Sequence, residues 1–506
     1  MAKKEEKMVT EMENEIGIEN DTALQTFKPE DYSDVGQARV LAAAYGHCLR
    51  DCEGIGWLIY QDGVWKASDT EAHGLSQKLT DLQLKEATEE YLQNLAKGAR
   101  THTEKDLYLK YVNGRRTTGK IAATLKEAKP MLHIETADLD ADPLILNTPD
   151  GEAHLDTGEM HPHDPMHYIT QMTSVAPSDE GAEMWAEFVD QIACSEEVVA
   201  DFLQQFAGMA AVGKVYEERL VVAIGSGGNG KSTFFNALQD VLGDYAGTIR
   251  SELLIASNDS GKKFELACLR GKRFVVAEEL EAGKQLDTAA LKQICSTGDI
   301  NAQFKGKDVF TFKPSHSTVL CTNHMPDVKT IDDGTWDRLT VVPFKARFRH
   351  QNTEIKNYAA YLVEHCGGAI LKWVIEGAQK YIQNDYKLVI IDELQVYTNE
   401  YRVANDWAVD FFADSLVFGP RYSAYANELY DAYETYCQCA GIKALSRTIV
   451  MPRIAQHPDV KKRRTGKGWL YEGVGTNKPE SLRILQKHVQ QCREESCLVE
   501  FNGEWF

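Results

Sequence analysis

Apolar positions recur at helical spacing over residues 36–49, at Ala38, Leu41, Ala42, Tyr45 and Leu49, which predicts a helix there. Next, Trp57-Leu58-Ile59-Tyr60 and Val64-Trp65 flank Asp62-Gly63, the pattern of a hairpin around a two-residue turn. Helical spacing returns over residues 71–96 and 118–128. Residues 144–147 and 151–156 read as a second pair of short strands, with turns at Pro149-Asp150-Gly151 and Thr157-Gly158. Residues 184–209 alternate apolar and acidic side chains at a helical period. From residue 220 to about 349, short apolar runs alternate with helical stretches, which predicts an α/β core with a parallel sheet. Residues 358–383 and 422–439 read as helices, and residues 384–394 as a boundary. No internal repeat is evident.

At 506 residues the chain exceeds one ordinary core, so several domains are expected. The boundaries drawn from the pattern are 1–30 (polar, charged and expected to be flexible), 31–183, 184–219, 220–385 and 386–506. With 43% hydrophobic and 26% charged residues, the composition is that of a globular protein. No apolar run approaches the twenty or so residues of a membrane span. The start, Met1-Ala2-Lys3-Lys4-Glu5-Glu6-Lys7, lacks the apolar stretch of a signal peptide. The eleven cysteines are scattered and do not fall into zinc spacing, which fits reduced thiols and a cytoplasmic location. A net charge of −21 excludes a surface coated for nucleic acid but leaves room for a local basic channel.

The chemistry concentrates in Val221-Val222-Ala223-Ile224-Gly225-Ser226-Gly227-Gly228-Asn229-Gly230-Lys231-Ser232-Thr233, an apolar strand, a glycine-rich loop and a helix start. The spacing Gly225-x-x-x-x-Gly230-Lys231-Ser232 is that of a P-loop. Glycines let backbone N–H groups close around an anionic phosphate, and the helix dipole points at the same place. Lys231 would supply charge to the outer phosphates of ATP, and Ser232 a hydroxyl to Mg²⁺.

One P-loop defines a very large class, so its downstream partners decide the function. Arg273-Phe274-Val275-Val276-Ala277-Glu278-Glu279 is a strand ending in two carboxylates. Such a pair suits metal coordination by Glu278 and activation of water by Glu279; a solvated pair is the bland alternative. Residues 300–312 alternate on both sides of Lys305-Gly306-Lys307, a hairpin with a basic tip that by itself is merely a solvated turn. The strand Ser317-Thr318-Val319-Leu320-Cys321-Thr322 ends in Asn323, placed to meet a γ-phosphate or to form a turn. Arg338 precedes the strand Leu339-Thr340-Val341-Val342-Pro343 and is either an arginine finger for a neighbouring subunit's nucleotide or a surface ion pair. The ordered set, within about 115 residues, carries more than any member does.

This order resembles superfamily 3 helicases, and within them the phage and plasmid primase-helicase branch that includes the poxvirus-type enzymes. The resemblance rests on the motifs above and on Lys292-Gln293-Ile294-Cys295-Ser296-Thr297-Gly298-Asp299, Thr322-Asn323-His324-Met325-Pro326 and Trp336-Asp337-Arg338-Leu339. Upstream it rests on Pro143-Leu144-Ile145-Leu146-Asn147, Asp156-Thr157-Gly158-Glu159 and Phe206-Ala207-Gly208. It implies an AAA+-like core at 220–385 behind a mixed α+β helicase-associated domain at 31–183 and a helical collar at 184–219. It also implies a homo-oligomeric ring, with a hexamer as the expected assembly, ATP between subunits, and the tips Lys305 and Lys307 facing DNA in a central channel. Relatives usually move 3′ to 5′. Two departures stand out: Asp337 replaces an Arg common in relatives, and no primase catalytic domain is recognisable upstream, so a separate primase or polymerase would be a partner.

In residues 386–506, Lys461-Lys462-Arg463-Arg464 runs into Gly466, Gly468, Trp469 and Tyr471, which suits the wing of a winged helix reaching for DNA phosphates; a nuclear-localisation-type run or a solvated basic loop is the alternative. The leading expectation is an ATP-dependent DNA helicase of a phage or mobile element, in the bacterial cytoplasm if phage-encoded, acting on single-stranded and forked DNA. An origin-melting initiator or loader ATPase, and a DNA-binding scaffold with a nucleotide switch, are the alternatives.

Overall fold

The computed structural model describes residues 26–96, 105–255, 262–277, 279–281, 283–303, 309–328, 332–348 and 357–477. Most of the segment 1–30 lies outside them. Two units are distinct: one holds the chain up to Pro326 and Asp337–Gln395, the other Asp327–Trp336 and the chain from Val396.

The first unit opens with α1 (Asp34–Tyr45), whose N-cap Ser33 accepts from the Gly36 N–H at 2.9 Å. The helix closes at Gly46, whose N–H bonds the Ala42 carbonyl. Leu49, expected in that helix, instead opens β1 (Leu49–Cys52), because its partner lies in the next strand. β2 (Gly56–Gln61) and β3 (Val64–Ala67) are joined by Asp62 and Gly63, both at positive φ (52° and 76°), as the tight hairpin turn requires. After α2 (Asp69–Ala96), α3 (Lys105–Arg115) and α4 (Thr118–Leu132), β4 (His133–Ile134) completes a sheet of order β3-β2-β1-β4. A second small sheet is β5 (Ile145–Thr148), β6 (Gly151–His154) and β7 (Met160–His161).

The stretch expected to be one helical run is two helices, α5 (Ala182–Ile192) and α6 (Glu197–Ala211). Cys194 and Ser195, at φ 54° and 59°, break it. The elements beyond are β8 (Leu220–Ile224), α7 (Lys231–Leu242), β9 (Ala246–Ile249), α8 (Lys262–Ala267), β10 (Phe274–Ala277), α9 (Thr288–Ile294), β11 (Ile300–Gln303), β12 (Val309–Phe312), β13 (Ser317–Thr322), β14 (Leu339–Pro343) and α10 (Tyr358–Gln383). β8, β9, β10, β13 and β14 form a parallel sheet of order β14-β8-β13-β10-β9, while β11 and β12 make a separate antiparallel hairpin. A parallel sheet is covered on both faces, which is why Val221, Val222, Ala223, Val275, Val319 and Leu320 are all fully buried without alternation.

Two backbone contacts fix this unit. A Cβ on Gly208 of α6 would stand 2.0 Å from the Ala378 nitrogen of α10, and one on Gly377 would stand 2.1 Å from the Gln204 carbonyl oxygen. The helices therefore cross backbone to backbone, and only glycine fits. Arg273, 4% exposed, donates to the carbonyls of Ala211 (2.9 Å) and Ile145 (2.8 Å), tying β5 and the end of α6 to the start of β10. No helix among the described residues is long and apolar enough to cross a membrane.

The second unit continues along α11 (Asp392–Asn405) into α12 (Trp407–Ser415), β15 (Leu416–Tyr425), α13 (Ala426–Ala440), α14 (Arg447–Ala455), β16 (Lys461–Thr465) and β17 (Gly468–Thr476). Its antiparallel sheet has the order β15-β17-β16, with Phe411, Leu429, Tyr433, Ile454 and Tyr471 in the core. Residues 422–425, expected to be helical, are strand, since Ser423, Ala424 and Tyr425 pair with Glu472, Tyr471 and Leu470. The segment Asp327–Trp336 packs here. The Val328 N–H donates to Asn405 Oδ1 at 2.7 Å, Asp333 pairs with Arg402, and the Trp336 ring lies 5.3 Å from Tyr401.

Candidate active site

The C-terminal ends of parallel strands form one edge of the sheet, where loops converge. β8 ends at Ile224, and the chain turns through Gly225–Gly230 into α7. Gly227, Gly228 and Gly230 have φ of 86°, 65° and 79°, which side-chain-bearing residues rarely adopt. Gly225 has no room for a side chain: its Cβ would fall 1.7 Å from Asn229 Nδ2. Asn229, 3% exposed, donates through Nδ2 to the Phe344 carbonyl (3.1 Å) and accepts the Lys231 N–H on Oδ1 (3.4 Å). The Phe348 N–H donates to the Gly228 carbonyl at 2.9 Å. The chain after β14 thus pins the loop's shape at two points. Ser226 and Ser232 are exposed, and Thr233 is half-buried in the first turn of α7.

Lys231, 5% exposed, reaches across to the end of β13. Its Nζ donates to the Thr322 carbonyl (2.6 Å), to Asn323 Oδ1 (3.1 Å) and to the Gly225 carbonyl (3.4 Å). Burial pushes the ammonium pKa down, while the nearby Cys321 and Glu279 act the other way. Asn323 Nδ2 donates to Glu279 Oε1. A continuous polar chain therefore runs Lys231–Asn323–Glu279, contributed by three elements on the same sheet edge. An ammonium, an amide and a carboxylate in contact beside backbone N–H groups can neutralise an anion and orient a water against it. For Mg²⁺, the Ser232 hydroxyl and a strand-end carboxylate are the right hard oxygen donors. Glu278 lies outside the described residues.

Arg338 sits at the other edge. Its carbonyl accepts the Leu220 N–H (2.7 Å), and β14 pairs with β8 in register from Leu339↔Leu220 to Pro343↔Ile224. One strand length, about 16 Å, separates it from the loop of its own chain, beyond the reach of an Arg side chain. Its guanidinium pairs with Glu218, which also accepts from the Thr297 N–H (3.1 Å) and Oγ1 (3.3 Å).

The β11–β12 hairpin is in place, paired from Ile300↔Phe312 to Gln303↔Val309, but its tip with Lys305 and Lys307 lies outside the described residues. Lys461, Lys462, Arg463 and Arg464 all lie on exposed β16. The alternation of the strand divides them. Arg463 Nε donates to Glu472 at 3.0 Å, whereas Lys462 and Arg464 approach the ring of Trp469.

Sequence reasoning missed the clamp on Asn229 and the carboxylate of Glu218. Asn229 carried a signal in principle, since an amide inside a glycine loop has backbone to hold. Glu218 carried none, being 120 residues from Arg338.

A family described as D5 N terminal like matches residues 38–194, and a family of unknown function, DUF5906, matches residues 223–338. A protein of Acanthamoeba polyphaga mimivirus, provisionally named helicase L207/L206, is 36% identical over 134 residues, 26% of this chain and 14% of its own length. One of African swine fever virus, provisionally named primase C962R, is 24% identical over 309 residues, 56% of this chain and 32% of its own. The chain thus covers less than a third of either relative. Among solved structures, the A form apo structure of the NrS-1 C terminal region covers 84% of this chain and 96% of that one, at 10% identity and a TM-score of 0.44. The two matched segments, together with these viral relatives, support a likeness between this chain and the D5-type primase-helicase family.

Proposed function

We propose that the protein is an ATP-dependent DNA helicase of viral or phage replication, working as a ring, with a hexamer as the expected assembly. The observation that carries this is the Lys231–Asn323–Glu279 chain beside a glycine loop, on the edge of a parallel sheet. In this reading the loop N–H groups and Lys231 hold the ATP phosphates, Ser232 and Glu278 hold Mg²⁺, and Asn323 senses the γ-phosphate. Glu279, released from Asn323, orients the attacking water. ATP and Mg²⁺ would supply the phosphoryl group and its charge neutralisation.

The sheet order β14-β8-β13-β10-β9 supports an AAA+-like P-loop core of superfamily 3 type. The distance of Arg338 from its own loop supports a finger acting on a neighbour's nucleotide. In the second unit, the succession helix, strand, two helices and a hairpin supports the winged-helix reading. DNA would meet the hairpin tips at Lys305 and Lys307 and the basic strand β16.

Strand displacement on 3′-tailed and 5′-tailed forks with ATP tests the proposal. Multiple-turnover displacement from one polarity, abolished in Lys231→Ala, is expected. ATP hydrolysis with local melting but without displacement of long duplex would favour an origin-melting ATPase instead.

A further inference from the structure

The hairpin β16–β17 carries a feature that phosphate binding alone does not explain. In this register Lys462, Arg464, Trp469 and Tyr471 share one face, and Lys461, Arg463, Leu470 and Glu472 share the other. The second face is charge-balanced by the Arg463–Glu472 pair. On the first, Tyr471 is buried in the core of its unit, but Trp469, nearer the turn, is 43% exposed and takes no part in that core. Its ring is flanked by the Lys462 ammonium at 4.3 Å and the Arg464 guanidinium at 5.8 Å from the centroid. A tryptophan left this open at a turn forfeits the burial that usually stabilises the residue.

We propose that this face is a stacking platform for an unpaired nucleic-acid base, with Trp469 against the base and Lys462 and Arg464 against the flanking phosphates. Charge favours this occupant. Residues 461–476 hold five basic side chains and one carboxylate, within a chain of net charge −21. Phosphates alone would be met by the lysines and arginines; the indole is useful only to a π-face, and bases expose those where they are unpaired. The platform therefore suits a single strand or the junction of a fork rather than the side of a duplex. It rests on DNA as the substrate but not on ATP hydrolysis.

Two measurements on the full chain, without nucleotide, test it. The first is affinity for a fluorescein-labelled oligo(dT), a fork and a blunt duplex. Trp469→Ala is expected to weaken oligo(dT) and fork roughly 5- to 100-fold and duplex less than twofold, with Trp469→Phe retaining most of the binding. The second is photocrosslinking of 5-iododeoxyuridine at the fork junction, with the adduct expected on Trp469. Equal losses on duplex and single strand, or an adduct confined to other residues, would overturn the platform. Binding of a polyglutamate peptide in place of DNA would also overturn it. Strand displacement with ATP, measured beside them on the wild type and on Trp469→Ala, separates the two ideas. No displacement by the wild type with the Trp469 binding effect intact removes the helicase reading and leaves the platform standing, and displacement by the wild type without that binding effect removes the platform alone.

Discussion

Replacing Arg338 with Ala distinguishes a residue that serves chemistry from one that only decorates a surface. Arg338 and Glu218 are 24% and 28% exposed, so the pair lies near solvent. Truncating the Arg does not orphan Glu218, because the Thr297 N–H and Oγ1 still donate to it. The stability cost should therefore be about 1 kcal/mol or less. A finger acting on a neighbour's nucleotide is worth about 10³–10⁵ in rate, which is at least about 4 kcal/mol of barrier. The two roles thus differ by several kcal/mol, and the melting temperature should hardly move while DNA-stimulated ATP hydrolysis collapses. Mixing sharpens the test. A Lys231→Ala subunit keeps its finger, and an Arg338→Ala subunit keeps its loop. In an equal mixture about one quarter of head-to-tail interfaces combine an intact loop with an intact finger. Phosphate release should then recover towards a quarter of the wild-type rate, though each variant alone is inactive. A mixture no faster than its components, or Arg338→Ala within tenfold of wild type, refutes the split site.

Asn229→Ala should leave the Phe344 carbonyl without its donor, costing about 1–3 kcal/mol in chemical denaturation and weakening nucleotide affinity by fluorescence titration. Gly225→Ala should cost less in an Asn229→Ala background than in the wild type, because the amide is then gone and only the clash with the Phe344 carbonyl, 2.8 Å from the added Cβ, remains; denaturation of the double variant reads that coupling. His316, 2% exposed, is pushed by burial down to about 4. The unfolded chain binds that proton from about pH 6.5 downward and the folded chain only near pH 4. Stability should therefore fall across that window by about 3 kcal/mol more in the wild type than in His316→Asn, and no further below it. Denaturant midpoints at pH 7, 5.5 and 4 that run parallel in the two proteins would contradict this.

Local patterns predicted local structure well. The bounds of α10, Tyr358–Gln383, follow directly from apolar periodicity, and Asp62-Gly63 carries its own turn. The failures are places where a distant partner decides. Leu49 and residues 422–425 are strands because of neighbours the local pattern does not contain, and residues 184–209 split at Cys194 and Ser195 with no glycine or proline to announce it. At the site, strand-end residues were legible because parallel topology gathers strand ends. That brings Lys231, Asn323 and Glu279 together from positions up to 92 residues apart. The pinning of the loop by Phe344 and Phe348 depends on how the chain returns after β14, which no spacing encodes.

The sorting of Asp327–Trp336 into the second unit has a practical meaning for anyone cutting this protein. The chain passes between the units three times, after Pro326, after Trp336 and after Gln395. A nick at the last crossing leaves the chain from Val396 held only by its non-covalent contacts with Asp327–Trp336, which stays covalently part of the other fragment. A shortened protein ending at Gln395 would expose Val328, 0% exposed, and Trp336, 5% exposed, as an apolar loop stripped of Tyr401 and Asn405. That loop lies between Asn323 and Arg338 in the sequence. The parallel-sheet unit is therefore better produced with its C-terminal unit attached, and aggregation of the shorter protein would say nothing about its chemistry.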